Sequence, residues 1–175
     1  EYNRKFVENK GYEPYLTSKY PDKKLAILTC MDTRLLELLP AALGIKNGDA
    51  KIIKNAGGVI VHPYGSVVRS LLVGILELGV EEVMVIGHTD CGVQGMDGSE
   101  MLDMLVERGI DQQHIDIVRH SGIDLERWLG GFESVESSVH ETVRRLKEHP
   151  LMPKDVRISG FIMDSATGEL TRVEA

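Results

Sequence analysis

Residues 24–30, KLAILTC, form a short apolar run that ends on a cysteine, and residues 81–88, EEVMVIGH, form a second that ends on a histidine. Both are too short for a typical helix and are apolar at odd and even positions alike, which is the pattern of a strand buried on both faces. Between them AKIIKN (50–55) reads as a third strand that leads into the glycine-rich AGGVIVHPYG (56–65). From Tyr64 onward, Val67, Val68, Leu71, Leu72, Ile75 and Leu78 fall at helical spacing and stop at Gly79, a natural helix cap. A shorter helix is expected over LLELLPAAL (35–43), with Pro40 kinking or ending it. Val135, Val139, Val143 and Leu146 predict a helix that closes near Pro150, after weaker helical signals over residues 99–129. The end, VRISGFIMDSATGELTRV (156–173), reads as two antiparallel strands around a turn at Gly168.

Strands alternating with helices predict an α/β fold: a mostly parallel central β-sheet with flanking helices and an antiparallel C-terminal edge strand. Such sheets place their ligand sites beyond the carboxyl ends of the strands, where the strand order reverses. If the strands near 25–30 and 82–87 are neighbours there, Cys30 and His88 meet.

The chain has 175 residues, 42% hydrophobic and 27% charged, and shows no repeat or linker, so one domain is expected. Its formal charge of −7, with no local Lys/Arg cluster to offset it, argues against nucleic acid or an anionic membrane as partner. No apolar run is long enough to span a bilayer and the opening EYNRKFVENK has no signal core, so a cytoplasmic setting is expected. There, the two cysteines favour thiolate chemistry or metal binding over a structural bridge.

In ILTCMDTRL (27–35), Asp32 and Arg34 follow Cys30 at alternate positions; in GHTDCG (87–92), His88 and Cys91 stand three apart. Two sulfurs and one imidazole suit tetrahedral zinc, and three protein ligands leave a fourth position. Asp32 is a candidate for that position in a closed state. Arg34, by holding the carboxylate through charge-assisted hydrogen bonds, would compete with the metal for it and act as a gate. Taken singly these residues have plainer meanings: Cys30 a small buried hydrophobe, Asp32 and Arg34 a surface ion pair or helix cap. Asp90 reads as a turn or helix-start residue and Arg69 as a surface one. His114, His120, His140 and His149 are expected in solvent.

The combination Cys-x-Asp-x-Arg followed by His-x-x-Cys resembles the β-class carbonic anhydrases. The resemblance extends through IIKNAGG (52–58) and ISGFIMDSATGEL (158–170) and covers most of the chain. It implies zinc on Cys30, His88 and Cys91, with Asp32 and Arg34 as the catalytic dyad. It further implies reversible hydration of carbon dioxide to bicarbonate by a zinc-activated hydroxide, in a homodimer or a multiple of dimers. Residues 1–20, carrying Tyr2, Phe6 and Val7, would then be an N-terminal helical arm on a single domain spanning 1–175. Gly57, Gly58 and Val59 are expected in the wall of the substrate pocket, where glycines let backbone approach closely. The chain departs from the family pattern in carrying HPYGS (62–66) ahead of the long helix, where acidic residues are usual. His62, able to titrate near neutrality, is the candidate proton shuttle.

Three other chemistries compete. A thiol enzyme would use Cys30 as nucleophile and Cys91 as resolving thiol, although Cys30 and Arg34 stand closer than in phosphatase loops. A structural zinc protein would keep Asp32 on the metal permanently. A sister enzyme would hydrolyse carbon disulfide or carbonyl sulfide, which are also linear and open to hydroxide.

Overall fold

Both apolar runs are strands, and they lie side by side. The computed structural model describes residues 1–174. In chain order the helices and strands are α1 (Tyr2–Glu8), β1 (Leu25–Cys30), α2 (Leu35–Ala42), β2 (Ala50–Asn55), α3 (Ser66–Leu78), β3 (Glu82–His88), α4 (Gly98–Glu107), α5 (Gln112–His120), α6 (Leu125–Leu129), α7 (Val135–Glu148), β4 (Arg157–Met163) and β5 (Leu170–Val173). Single 3-10 turns occupy Glu13–Tyr15 and Ala56–Gly58.

The sheet runs β2-β1-β3-β4-β5. The first four strands are mutually parallel and β5 returns antiparallel to β4, as the sequence predicts. From β1 the chain moves outward to β2, then crosses back to lay β3 on the other side of β1. The reversal therefore lies between β1 and β3, whose register sets Thr29 opposite Ile86 and brings their carboxyl ends together.

Alternation along the central strands separates two apolar layers. Ala26, Leu28, Val83 and Val85 pack with Val68 and Leu71 of α3 and with Val139, Val143 and Leu146 of α7. Ile27 and Ile86 belong to the other layer, with Leu35 and Leu39 of α2 and Met163 of β4. Most of these side chains have almost no exposed surface, so at roughly 1.5–3 kcal/mol per buried aliphatic side chain they dominate the stabilisation of the sheet.

One local expectation is corrected and one is narrowed. Helix α3 begins at Ser66, not Tyr64, because Gly65 takes an extended conformation and closes a turn onto the His62 carbonyl. Helix α2 continues two residues past Pro40. Pro40 removes only the bond that the Leu36 carbonyl would accept, and Leu36 lies at the exposed surface.

The weak signals over 99–129 resolve into three short helices, each opened by an aspartate. Asp97, Asp111 and Asp124 accept from the backbone N–H of Ser99, Gln113 and Arg127 respectively. These helices share a small core of Leu102, Ile115 and Leu125. They rejoin the body at Gly131, where any Cβ would collide with the Val93 carbonyl. The opening segment is helical at α1, which buries no residue. It is tied to the body by Asn47 donating to the Tyr15 carbonyl and Lys51 to that of Lys19. Among the described residues no helix is long and apolar enough to cross a membrane.

Candidate metal centre

Strand β1 ends on Cys30 and β3 ends on His88, so the parallel pairing delivers one sulfur and one imidazole to the same edge of the sheet. The chain then turns through Thr89 and Asp90, which returns Cys91 beside them. The three donor atoms lie within 4.8 Å of one another, and the two Sγ atoms are 3.9 Å apart. Cys30, His88 and Cys91 are 4%, 1% and 7% exposed, so the donors face the protein and not bulk water.

The imidazole is held in one orientation. His88 Nδ1 lies 2.9 Å from the Thr89 carbonyl, a geometry that places the proton on Nδ1 and leaves a lone pair on Nε2. Thr89 is itself fixed: its N–H donates to the Met163 carbonyl at 3.0 Å, and its Oγ1 accepts from Ser165 N–H at 3.0 Å. Among the described residues, His88 Nε2 is the one buried side-chain nitrogen or oxygen without a hydrogen-bond partner. A buried acceptor left unpaired is costly, and a divalent ion shared with two sulfurs satisfies it. The donor set therefore fits zinc. Burial pushes the Cys91 thiol up, against a smaller opposing pull from the Val93 N–H.

Asp32 and Arg34 stand beside this cluster. Arg34 Nε and Nη2 donate to Asp32 Oδ1 and Oδ2 at 3.0 and 2.9 Å, and the Arg34 backbone N–H adds a third bond to Oδ1 at 2.9 Å. The guanidinium hydrogen bond is the main reason the Asp32 carboxyl drops to about 2 from its ordinary 3.8, outweighing the opposing effect of burial. Asp32 Oδ2 is also 3.8 Å from His88 Nε2, so one carboxylate borders both the cation and the donor cluster.

Asp90 has a role its turn position did not reveal. It does occupy the turn, in the left-handed region at φ 53°. In addition, its Oδ2 accepts from Arg34 Nη1 at 2.9 Å and its carbonyl from Nη2 at 2.8 Å. Nothing local signals a partner fifty-six residues away.

The Ala56–Gly58 turn packs against β1 and β3. Gly58, at φ 65°, rests on the end of β1 so tightly that a Cβ would lie 3.0 Å from the Thr29 carbonyl carbon and 3.1 Å from Cys30 N. A Cβ on Gly57 would lie 3.0 Å from the Phe132 ring and 3.3 Å from Val93 Cγ1. Asn55 closes the loop by donating to the Val59 carbonyl at 2.7 Å and accepting from the Val59 N–H at 3.1 Å. Val93 and Phe132 also pack against the layer that contains Cys30 and Cys91. Neither stands out in the sequence, since each sits in a loop without period.

His62 is exposed, and its Nδ1 accepts from Tyr64 N–H at 3.1 Å. Among the described residues no contact joins it to the cluster. His149, expected in solvent, is 5% exposed. Its Nε2 lies 2.9 Å from the Pro63 carbonyl, while Nδ1 accepts from Leu151 N–H at 3.2 Å. Together with Arg145, which donates to the Ile60 carbonyl at 2.9 Å, it ties α7 to the loop that follows Val59. His114, His120, His140 and Arg69 are exposed, as expected.

The sequence profile of the carbonic anhydrase family matches residues 25–170. The protein named "Putative carbonic anhydrase YvdA" from Bacillus subtilis is 52% identical over 97% of this chain and 86% of its own length. A carbon disulfide hydrolase of Acidithiobacillus thiooxidans is 31% identical over 85% of this chain and 76% of its own. The crystal structure of β-carbonic anhydrase isoform I from Trichomonas vaginalis superposes with a TM-score of 0.87 at 35% identity, covering 98% of this chain and 92% of that one. With the sheet order, the Cys-His-Cys cluster and these matches in agreement, this chain belongs to the carbonic anhydrase family, in its β class.

Proposed function

We propose that this chain is a zinc-dependent carbonic anhydrase, a lyase that interconverts carbon dioxide and bicarbonate. The observation that carries the proposal is the convergence of Cys30, His88 and Cys91 within 4.8 Å, with the Asp32 carboxylate 3.8 Å from the unpaired His88 Nε2. Zinc would be held by the two Sγ atoms and Nε2, and when bound it would supply a water acidified to roughly 7.

The chain's own residues do the rest. Asp32, ionised throughout the neutral range, accepts an O–H from the attacking water and so turns a lone pair toward the substrate carbon. Arg34 keeps that carboxylate charged and off the donor cluster; Asp32 released from Arg34 is the candidate fourth ligand of a closed, inactive state. Gly57, Gly58 and Val59, with Val93 and Phe132, offer backbone and apolar surface suited to a small linear substrate. His62 remains a candidate for proton export only by way of solvent.

A carbon disulfide or carbonyl sulfide hydrolase is the second reading, favoured by the 31% identity to a carbon disulfide hydrolase. The stronger match to YvdA supports the carbon dioxide reading. Stopped-flow assays of zinc-replete protein with carbon dioxide, carbonyl sulfide and carbon disulfide test both. Turnover of carbon dioxide alone is the expected result, and turnover of the sulfur substrates alone replaces it with the second reading.

We further propose a single domain, with residues 1–20 as an arm that packs across a second copy of the chain in a homodimer or a multiple of it. The exposed aromatic side chains Tyr2, Tyr12, Tyr15 and Tyr20 support this. A reducing, cytoplasmic setting is proposed because both thiols are free to serve as ligands.

A further inference from the structure

Arg34 uses two edges of its guanidinium. The inner edge, Nε and Nη2, grips Asp32; the outer edge, Nη1 with the second proton of Nη2, meets the Asp90 carboxylate and carbonyl at 2.9 and 2.8 Å. Four of the five N–H donors are thus engaged, and the cation is fixed from both sides. Asp90 belongs to the two-residue turn between His88 and Cys91, whereas Asp32 and Arg34 follow Cys30 on the other strand. The guanidinium is therefore a brace between the two chain segments that deliver the metal donors.

The turn favours this contact. Asp90 adopts φ 53°, a conformation that aspartate tolerates better than most residues and glycine tolerates freely. Its side chain is 86% exposed and pairs with Arg34. A carboxylate in that position contributes little packing, so its effect falls on the cation it faces.

We propose that Asp90 is a positioning residue that anchors Arg34 from outside, so that Asp32 stays on the guanidinium and away from the Cys30, His88 and Cys91 donor atoms. The proposal rests on the reading of Asp32 and Arg34 as a gate and extends it to a third member. Removing the Asp90 carboxylate loosens Arg34 and frees Asp32 to turn toward the donors. The pair is solvent-exposed, so the shift is modest, about two- to fivefold in the ratio of open to closed metal sites.

Asp90→Gly removes the carboxylate and keeps both the backbone conformation and the carbonyl bond to Nη2. Asp90→Asn keeps an acceptor without charge. Azide binding to the cobalt(II)-substituted protein, followed by visible absorption, reports whether the metal is open to an added ligand and does not depend on which substrate the enzyme turns over. Asp90→Gly is expected to keep full metal content and an unchanged melting temperature, to bind azide more weakly by up to about fivefold, and to lose carbon dioxide turnover by the same factor. Asp90→Asn is expected to recover most of that loss. In the Arg34→Ala background, Asp90→Gly is expected to have no further effect. Wild-type azide affinity in Asp90→Gly, while Arg34→Ala is crippled, overturns the proposal and leaves the gate standing. An undiminished loss in the Arg34→Ala background also overturns it, since Asp90 would then act elsewhere. Wild-type behaviour of Arg34→Ala itself overturns the gate, and this proposal with it.

Discussion

Asp32 Oδ2 lies 3.8 Å from His88 Nε2 while both of its oxygens accept hydrogen bonds from Arg34. The carboxylate is close enough to the donor cluster to occupy it and is held from doing so by a bidentate cation. On the proposed gate, which side holds it would decide whether the site is open.

Substituting Arg34 by alanine is therefore expected to leave zinc content stoichiometric while hydration falls by at least about 100-fold, the scale seen when one positioned donor is lost from an active site. Zinc analysis alongside stopped-flow kinetics checks this, and a fully active variant excludes the gate.

Cys91→Ser is expected to purify without stoichiometric zinc, because a neutral hydroxyl is a poor replacement for thiolate. In the wild-type protein, zinc at a thousandfold excess over its dissociation constant is expected to add about 4 kcal/mol of stability. Its uptake is expected to release protons, since burial keeps the Cys91 thiol protonated in the absence of metal. Thermal melts and pH-indicator titrations measure the two effects, and a fully loaded Cys91→Ser protein removes that residue from the ligand set.

The Asp32 carboxyl is expected to titrate near 2 in the folded protein and to move back toward 3.8 in Arg34→Ala, because the guanidinium hydrogen bond is the main cause of the shift. A folded value below the unfolded one means that Asp32 favours the fold fully above about pH 4 and that this contribution is lost as the pH falls through about 2. Carbon-13 titration of the aspartate carboxyls is the direct measurement. An Asp32 resonance that titrates near 4 in the wild-type protein contradicts the geometry.

Gly58→Ala is expected to cost about 1–3 kcal/mol and to weaken zinc binding as well. The new Cβ meets the backbone of Thr29 and Cys30 at a φ of 65°, so relief requires moving either the loop or the strand end that carries Cys30, one of the three clustered donors. Urea unfolding midpoints and zinc affinity are the readouts. Wild-type values for both would mean that the loop relaxes away from β1.

Much of this was legible locally. KLAILTC and EEVMVIGH are strands because a short run apolar at every position is stable only when covered on both sides, and α3 and α7 follow because their apolar residues repeat at the helical period. The donor types, two sulfurs and an imidazole, are written in the chain, as is the proximity of Asp32 and Arg34 to Cys30. The short helices within 98–129 were legible only weakly, since each is brief and their shared core is three residues. Asp97, Asp111 and Asp124, which cap them, gave a local signal that the helical period alone does not carry.

By itself the sequence determined which elements form, which residues carry reactive groups and how those groups are spaced within each segment, because helical and strand periods and turn chemistry act over a few neighbouring residues. Tertiary structure alone decided that β1 and β3 are adjacent, that Arg34 reaches across to Asp90, that Phe132 and Val93 crowd Gly57, and that His149 is buried under Pro63. Those contacts join residues from about thirty-five to nearly ninety positions apart. They arise only when both faces of the sheet are covered at once and the strand order is settled, a condition of packing that no local pattern expresses.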